Sequence, residues 1–231
     1  MGNLCIIPAR GGSKRIPRKN IKLFCGKPII SYSIEAAIKS DLFDEVMVST
    51  DDEEIAMIAK KYGANVPFMR SAKNANDFAT TADVLIEVIE QYQQSGKAYS
   101  LVCCCYPTAP FITPKKLIEG YDLLKSRKAD AVFPVAEYCY PIQRSLKLDS
   151  DKQVSMKWPE FLNTRSQDLE KSFHDAGQWY WMNVESLLNQ KKIFSSNSYG
   201  LELNPLVVQD IDNESDWHIA ELKYEFLQSI K

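Results

Sequence analysis

The stretch Pro8–Asn20 (P-A-R-G-G-S-K-R-I-P-R-K-N) places five cationic side chains around two adjacent glycines, directly behind the apolar run Leu4–Ile7. A glycine pair lets backbone N–H groups approach a ligand closely, and successive amides form a concavity that attracts anions. Arg10, Lys14, Arg15, Arg18 and Lys19 supply the charge a polyphosphate needs. The first expectation is therefore a nucleotide-triphosphate site. Its type is narrowed by two absences. Gly26-Lys27 is followed by Pro28, so there is no G-x-x-x-x-G-K-[ST], and no G-x-G-x-x-G occurs. A P-loop and a dinucleotide fingerprint are both excluded.

A second candidate lies near the other end, at Asp210-Ile211-Asp212. On an extended backbone two carboxylates two residues apart point the same way, with Ile211 turned aside. Such a pair suits Mg²⁺, which takes one or two carboxylates plus substrate phosphates. The competing reading is helix capping by Asp212 or Asn213. Other polar sets are weaker singly: Tyr106–Phe111 (Y-P-T-A-P-F), Asn163–Asp168 (N-T-R-S-Q-D) and His174–Gln178 (H-D-A-G-Q). Within and near them, Arg144 and Arg165 could each grip a carboxylate bidentately.

These groups need a scaffold, and strand and helix signals alternate through the first 135 residues. Strands are expected at Leu4–Ile7, Glu45–Ser49, Val66–Met69, Ser100–Cys105 and Ala131–Val135. Helices are expected from Pro28, from Asp51 or Asp52, from Thr80 or Thr81, and from Pro114, each with apolar positions three and four apart. Four or more βα units in series imply a three-layer α/β fold: a mostly parallel sheet with helices on both faces. Ligands of such sheets sit beyond the carboxyl ends of the strands, where the basic loop falls. From Tyr138 to about Lys171 the pattern breaks into a proline-containing, charged stretch that reads as an inserted arm. Regular structure returns at Gln178–Asn183 and Leu206–Val208 and closes with a helix from Asn213.

The 231 residues suit one substantial domain, and a net charge of −2 makes the basic loop a local feature, against a nucleic-acid binder. No apolar run approaches the ~18 residues of a membrane span, and the N-terminus lacks a signal-peptide layout. A cytoplasmic protein without nucleic-acid or membrane partners is expected. The six cysteines form no paired C-x-x-C, and Cys103-Cys104-Cys105 sit inside an apolar run. Buried reduced thiols are expected there, not zinc ligands.

Taken in order, A-R-G-G-S-K-x-x-x-x-K-N (Ala9–Asn20), Asp77–Thr81, the P-T-A-P loop, the G-Q pair and D-I-D resemble the CMP-nonulosonate cytidylyltransferases, the family of CMP-sialic acid and CMP-Kdo synthetases. The resemblance spans essentially the whole chain. It implies a Rossmann-like fold of the nucleotide-diphospho-sugar transferase type, a single domain over 1–231, and residues 138–175 as a dimerisation and substrate arm. It implies transfer of CMP from CTP to the anomeric 2-hydroxyl of a nonulosonic acid, with Mg²⁺ and release of pyrophosphate. By the same carry-over Ala9 and Arg10 through Lys14 (Gly11, Gly12 and Ser13 between them) form the triphosphate cradle. Lys19 and Asn20 lie near phosphate and cytosine, and Arg70, Thr80 and Thr81 contact the cytidine. Asp210 and Asp212 hold the metal, with Arg10, Lys14 and Asp210 as catalytic groups. Tyr106, Arg144, Arg165, His174 and Gln178 fall to the sugar. Sialic acid synthetases carry glutamine where this chain has Tyr106, whereas H-D-A-G-Q-W-Y-W and N-T-R-S-Q-D match the pseudaminic acid branch, so that sugar is expected. The resemblance further implies a homodimer in which the arm reaches the neighbouring site. A D-x-D glycosyltransferase and a nucleotide-sensing regulatory domain are the alternatives of other classes.

Overall fold

The computed structural model describes residues 2–230. Its centre is a seven-stranded sheet. The strands are β1 (Gly2–Pro8), β2 (Glu45–Ser49), β3 (Tyr99–Cys105), β4 (Ala131–Glu137), β5 (Phe173–Asp175), β6 (Trp179–Asn183) and β7 (Ser198–Leu203). The spatial order is β7-β4-β6-β3-β1-β2. β1, β2, β3, β4 and β7 run parallel, and β6 is antiparallel between β3 and β4. β5 pairs with β4 beyond β6 and is likewise antiparallel.

Alternation along the central strands builds two cores. Cys5, Ile7, Val48, Cys103 and Cys105 face one way, packed under α1 (Ile30–Lys39), α2 (Glu53–Lys61) and α4 (Pro114–Arg127). Leu4, Ile6, Met47, Val102 and Cys104 face the other, under α3 (Thr81–Gln94) and α5 (Val184–Gln190). Both faces of β1 are therefore dry, which is why Leu4–Ile7 reads as an unbroken apolar run. The cysteines on β1 and β3 are free and fully buried, as expected.

A third apolar cluster lies off the sheet and matters more for function. Ile16 of the basic loop and Ile211 of D-I-D pack together with Phe24, Ile29, Trp217 and Ala220, the last two on α6 (Glu214–Ser229). Full burial of an isoleucine is worth about 1.5–3 kcal/mol. Ile16 and Ile211 thus pin two segments from opposite ends of the chain to one floor.

Two expected strands do not form. Val66–Met69 runs alongside β2 but bridges it only at Asn65, whose N–H donates to Val46 O at 2.8 Å. Pro67 has no N–H to continue the ladder. Leu206–Val208 falls instead in and just after a 3₁₀ turn, Pro205–Val207, entered by proline and capped by Asn204. The strand that reaches the sheet is β7, ahead of it. The first helix starts at Ile30, because Lys27-Pro28 pairs with Leu23-Phe24 in a small hairpin.

The segment between β4 and β5 is the irregular excursion expected. It carries one short hairpin, Leu146–Leu148 with Val154–Met156, and several 3₁₀ turns. β4 and β5 pair, and Tyr138 N–H donates to Ser172 O at 3.0 Å, so the arm leaves and rejoins the sheet at one place.

Candidate active site

Beyond the carboxyl ends of β1 and β3 lies a cleft of about 520 Å³, the size of an ordinary small-molecule site. One wall is Pro8, Arg10, Ser13, Lys14, Arg15, Lys19 and Asn20. The other comes from Arg70 and the segment up to α3, and Tyr106, Pro107 and Thr108 complete it. Five lining side chains are cationic and a single one, Asp77, is a carboxylate. The N-terminus of α3 also opens here, adding its partial positive charge. The cleft is built for an anion.

Each part of the basic loop has its own support. Ala9 is buried and its N–H donates to Ser49 O, tying the loop to β2. Gly11 N–H donates to Asp51 Oδ1 at 2.9 Å, and a Cβ there would come within 2.7 Å of Asp52 Oδ2. The second glycine differs: a Cβ on Gly12 would meet nothing within 4 Å. Arg18 has a left-handed φ of 55° and grips Asp52 with both Nη atoms, at 2.5 and 3.0 Å, and Glu54 as well. That contact holds the Asp52 carboxyl down to about 2 while Asp52 caps α2. Arg18 is thus a clamp on α2 and does not line the cleft. Asn20 Nδ2 donates to Arg10 O at 2.8 Å, and Lys19 Nζ donates to Ile211 O at 2.7 Å. Burial lowers the pKa of Lys19, with Asp212 and Asp210 opposing it.

On the opposite wall Arg70 is almost fully buried. Its Nε donates to Ser49 Oγ at 3.1 Å and Nη2 to Ser49 O at 2.5 Å, and burial lowers its pKa. Thr80 caps α3 in a reciprocal box with Asp83, placing Thr81 in the first turn at the cleft. Tyr106 sits with its phenol 3.3 Å from Thr81 Oγ1, its ring against Tyr180 and its N–H on Gln178 O. Tyr180 in turn donates to Asp175 Oδ2 at 2.6 Å.

The other residues expected at the sugar lie outside the cleft within one chain. Arg144 donates to Leu162 O and Thr164 O inside the arm. Arg165 pairs with Asp168 at 2.7 Å. His174 Nδ1 contacts Asp175 O and the ring packs edge-on against Tyr138. Gln178, just ahead of β6, is buried and donates from Nε2 to Val207 O at 2.6 Å, a tie to the turn before D-I-D.

Asp210 and Asp212 do not line the cleft, but Asp212 and the carbonyl of Ile211 each meet a residue that does. Asp212 pairs with Arg15 at 2.7 Å, and Lys19 reaches the carbonyl between them. Burial, then the neighbouring Asp212, raises the pKa of Asp210. Of the two capping candidates, Asn213 is the one that caps α6, in a reciprocal box with Asp216. Neither aspartate is needed for that. No group of three or more His, Cys, Asp or Glu suited to a metal occurs among the described residues. The donor set is two carboxylates, which fits an ion that draws its remaining ligands from phosphate and water.

The sequence reading does not name Asn74 and Asn76, which line the cleft beside Asp77, although N-A-N-D ahead of a helix start is a dense polar signal.

Comparison with known proteins gives the family and the fold. The chain is 44% identical over 225 residues to a pseudaminic acid cytidylyltransferase of Campylobacter jejuni, covering 97% of each. It is 32% identical to a CMP-N,N'-diacetyllegionaminic acid synthase of Legionella pneumophila, again over 97% of each. A solved CMP:2-keto-3-deoxy-manno-octonic acid synthetase complexed with CTP shares the fold, with TM-score 0.69 at 16% identity over 99% of this chain and 100% of that one. The family model for cytidylyltransferases matches residues 4–203, through β7 and short of D-I-D. On these grounds the chain belongs to the cytidylyltransferase family.

Proposed function

We propose that this cytidylyltransferase moves CMP from CTP to the anomeric 2-hydroxyl of a nonulosonic acid, pseudaminic acid foremost, and releases pyrophosphate. The 44% identity over nearly the whole of both chains carries the choice of sugar, against 32% for the legionaminic enzyme. The cationic cleft supports the nucleotide half.

In this reading Arg10, Ser13 and Lys14, with the open amides at Gly12, hold the triphosphate. Arg70 and the α3 start at Thr80 and Thr81 hold the cytidine, and Lys19 with Asn20 bridges the two. Tyr106 presents an aromatic face to a sparsely hydroxylated sugar. Asp210 and Asp212 would hold Mg²⁺, which when bound supplies charge neutralisation at phosphate. The protein's own contribution is positioning and fixed charge, since the hydroxyl displaces pyrophosphate with little covalent work for side chains.

The arm supports a homodimer. Tyr140, Leu146, Leu148, Val154 and Leu162 are all more than half exposed, an apolar set that a second subunit would cover. Arg144 and Arg165 then belong beside the partner's sugar. No helix of the described residues is long and apolar enough to cross a membrane, and we place this CTP-consuming synthesis in the cytoplasm.

The test is pyrophosphate release from CTP with a panel of pseudaminic, legionaminic, sialic and Kdo sugars. Turnover is expected with pseudaminic acid first. Release independent of any keto-acid sugar would remove the reading. Light scattering should give twice the chain mass, and a monomer would remove the dimer.

A further inference from the structure

We infer that Asp77 is a displaceable internal counter-anion of the phosphate cradle, occupying it until a polyphosphate takes its place. The inference rests on reading Arg10 and Lys14 as that cradle. Asp77 Oδ1 accepts from Arg10 Nη1 and Oδ2 from Lys14 Nζ, both at 2.6 Å. Each carboxylate oxygen thus takes one cation, as two oxygens of a bridging phosphate would. The contact spans the cleft, joining the loop after β1 to a segment more than 60 residues on.

The two sides are unequally fixed. Around Asp77, Asn76 Oδ1 accepts from the N–H groups of Phe78 and Ala79, and Asn74 donates to Glu87 of α3. Across from it, the Lys14 side chain is 79% exposed and the space at Gly12 is open. The loop cations can leave Asp77 without disturbing a core.

Any anion that needs both cations must first expel the carboxylate. Exposed pairs of this kind are individually weak, so the two together lower anion affinity by about threefold to thirtyfold. CTP overcomes this with its base and metal contacts. Free pyrophosphate, the product, lacks the base contacts, and the return of Asp77 to Arg10 and Lys14 helps it leave.

The experiment is calorimetric titration of metal-free pyrophosphate into the intact protein and its Asp77→Asn and Asp77→Ser variants, with circular dichroism to check folding. Both variants should bind pyrophosphate about threefold to thirtyfold more tightly and show correspondingly stronger product inhibition. Unchanged or weaker binding in both would overturn the inference. Arg10→Ala/Lys14→Ala separates the two levels. If that variant binds pyrophosphate as well as the parent, the cradle reading itself is wrong. If it binds more weakly while the Asp77 variants are unchanged, only the role of Asp77 fails.

Discussion

Adding one methyl group at Gly11 and at Gly12 should give opposite outcomes. At Gly11 a Cβ would lie 2.7 Å from Asp52 Oδ2 and 3.0 Å from Asp52 Cβ, too close for either atom to stay. Asp52 cannot move freely, because it caps α2 through Ile55 N–H and is gripped by Arg18. Losing a cap costs about 1 kcal/mol, and loosening the partly buried Arg18 contact adds a further ~1 kcal/mol. Gly11→Ala should therefore lower the unfolding free energy by about 1–2 kcal/mol in urea titration. The pH dependence follows from Asp52. Its folded pKa of about 2 lies below the ordinary 3.8, so its contribution is full above about pH 4 and is lost as pH falls toward 2. The gap between parent and variant should close over that window. Gly12→Ala meets nothing, so its stability should stay within about 0.5 kcal/mol. It fills the space where phosphate would approach, and losing one charge-assisted hydrogen bond should weaken CTP about tenfold or more. Equal stability losses in the two variants, or normal CTP binding by Gly12→Ala, would refute this account of the glycine pair.

Asp210→Asn should slow turnover at least about a hundredfold, as for loss of a main electrostatic stabiliser. Its melting temperature should hold, because Asn213 and Asp216 still cap α6; near-full activity would end the metal reading. Tyr106→Phe removes the hydroxyl beside Thr81, on the cytidine side, but keeps the aromatic face, so KM for CTP should rise severalfold while KM for the sugar is unchanged, measured by steady-state kinetics with each substrate varied. Ile211→Ala empties a buried site shared by the basic loop and α6, and should cost about 2–4 kcal/mol in urea unfolding together with a raised KM for CTP.

The sheet was legible because its central strands are dry on both faces and its helices open on capping residues: Asp52, Thr80, Thr113 and Asn213 all cap where their side-chain chemistry allows. The two misplaced strands share a cause. Val66–Met69 and Leu206–Val208 are apolar enough, but Pro67 lacks a ladder donor, and Pro205 starts a 3₁₀ turn that takes up the N–H groups of Val207 and Val208. In the site, Arg10, Lys14, Arg15 and Lys19, read by charge, line the cleft. Arg18 does not: Asp52 and Glu54 claim it, which nothing local shows. Asp77, legible only as the head of the Asp77–Thr81 motif, acquires its ionic role only when Arg10 and Lys14 fold against it. The arm residues Arg144 and Arg165 turn to local partners, so their roles cannot be read from one chain's sequence pattern.

The floor shared by Ile16 and Ile211 has a consequence for synthesis of the protein. Lys19 meets Ile211, and Lys22 meets Glu214, each across 192 residues of chain. The basic loop is translated early, yet its apolar seat lacks Ile211, Trp217 and Ala220, and Arg15 lacks Asp212, until the end of the chain arrives. A nascent or prematurely terminated chain can therefore build much of the sheet while its basic loop still lacks part of its floor. That floor is complete only once the chain has closed on itself.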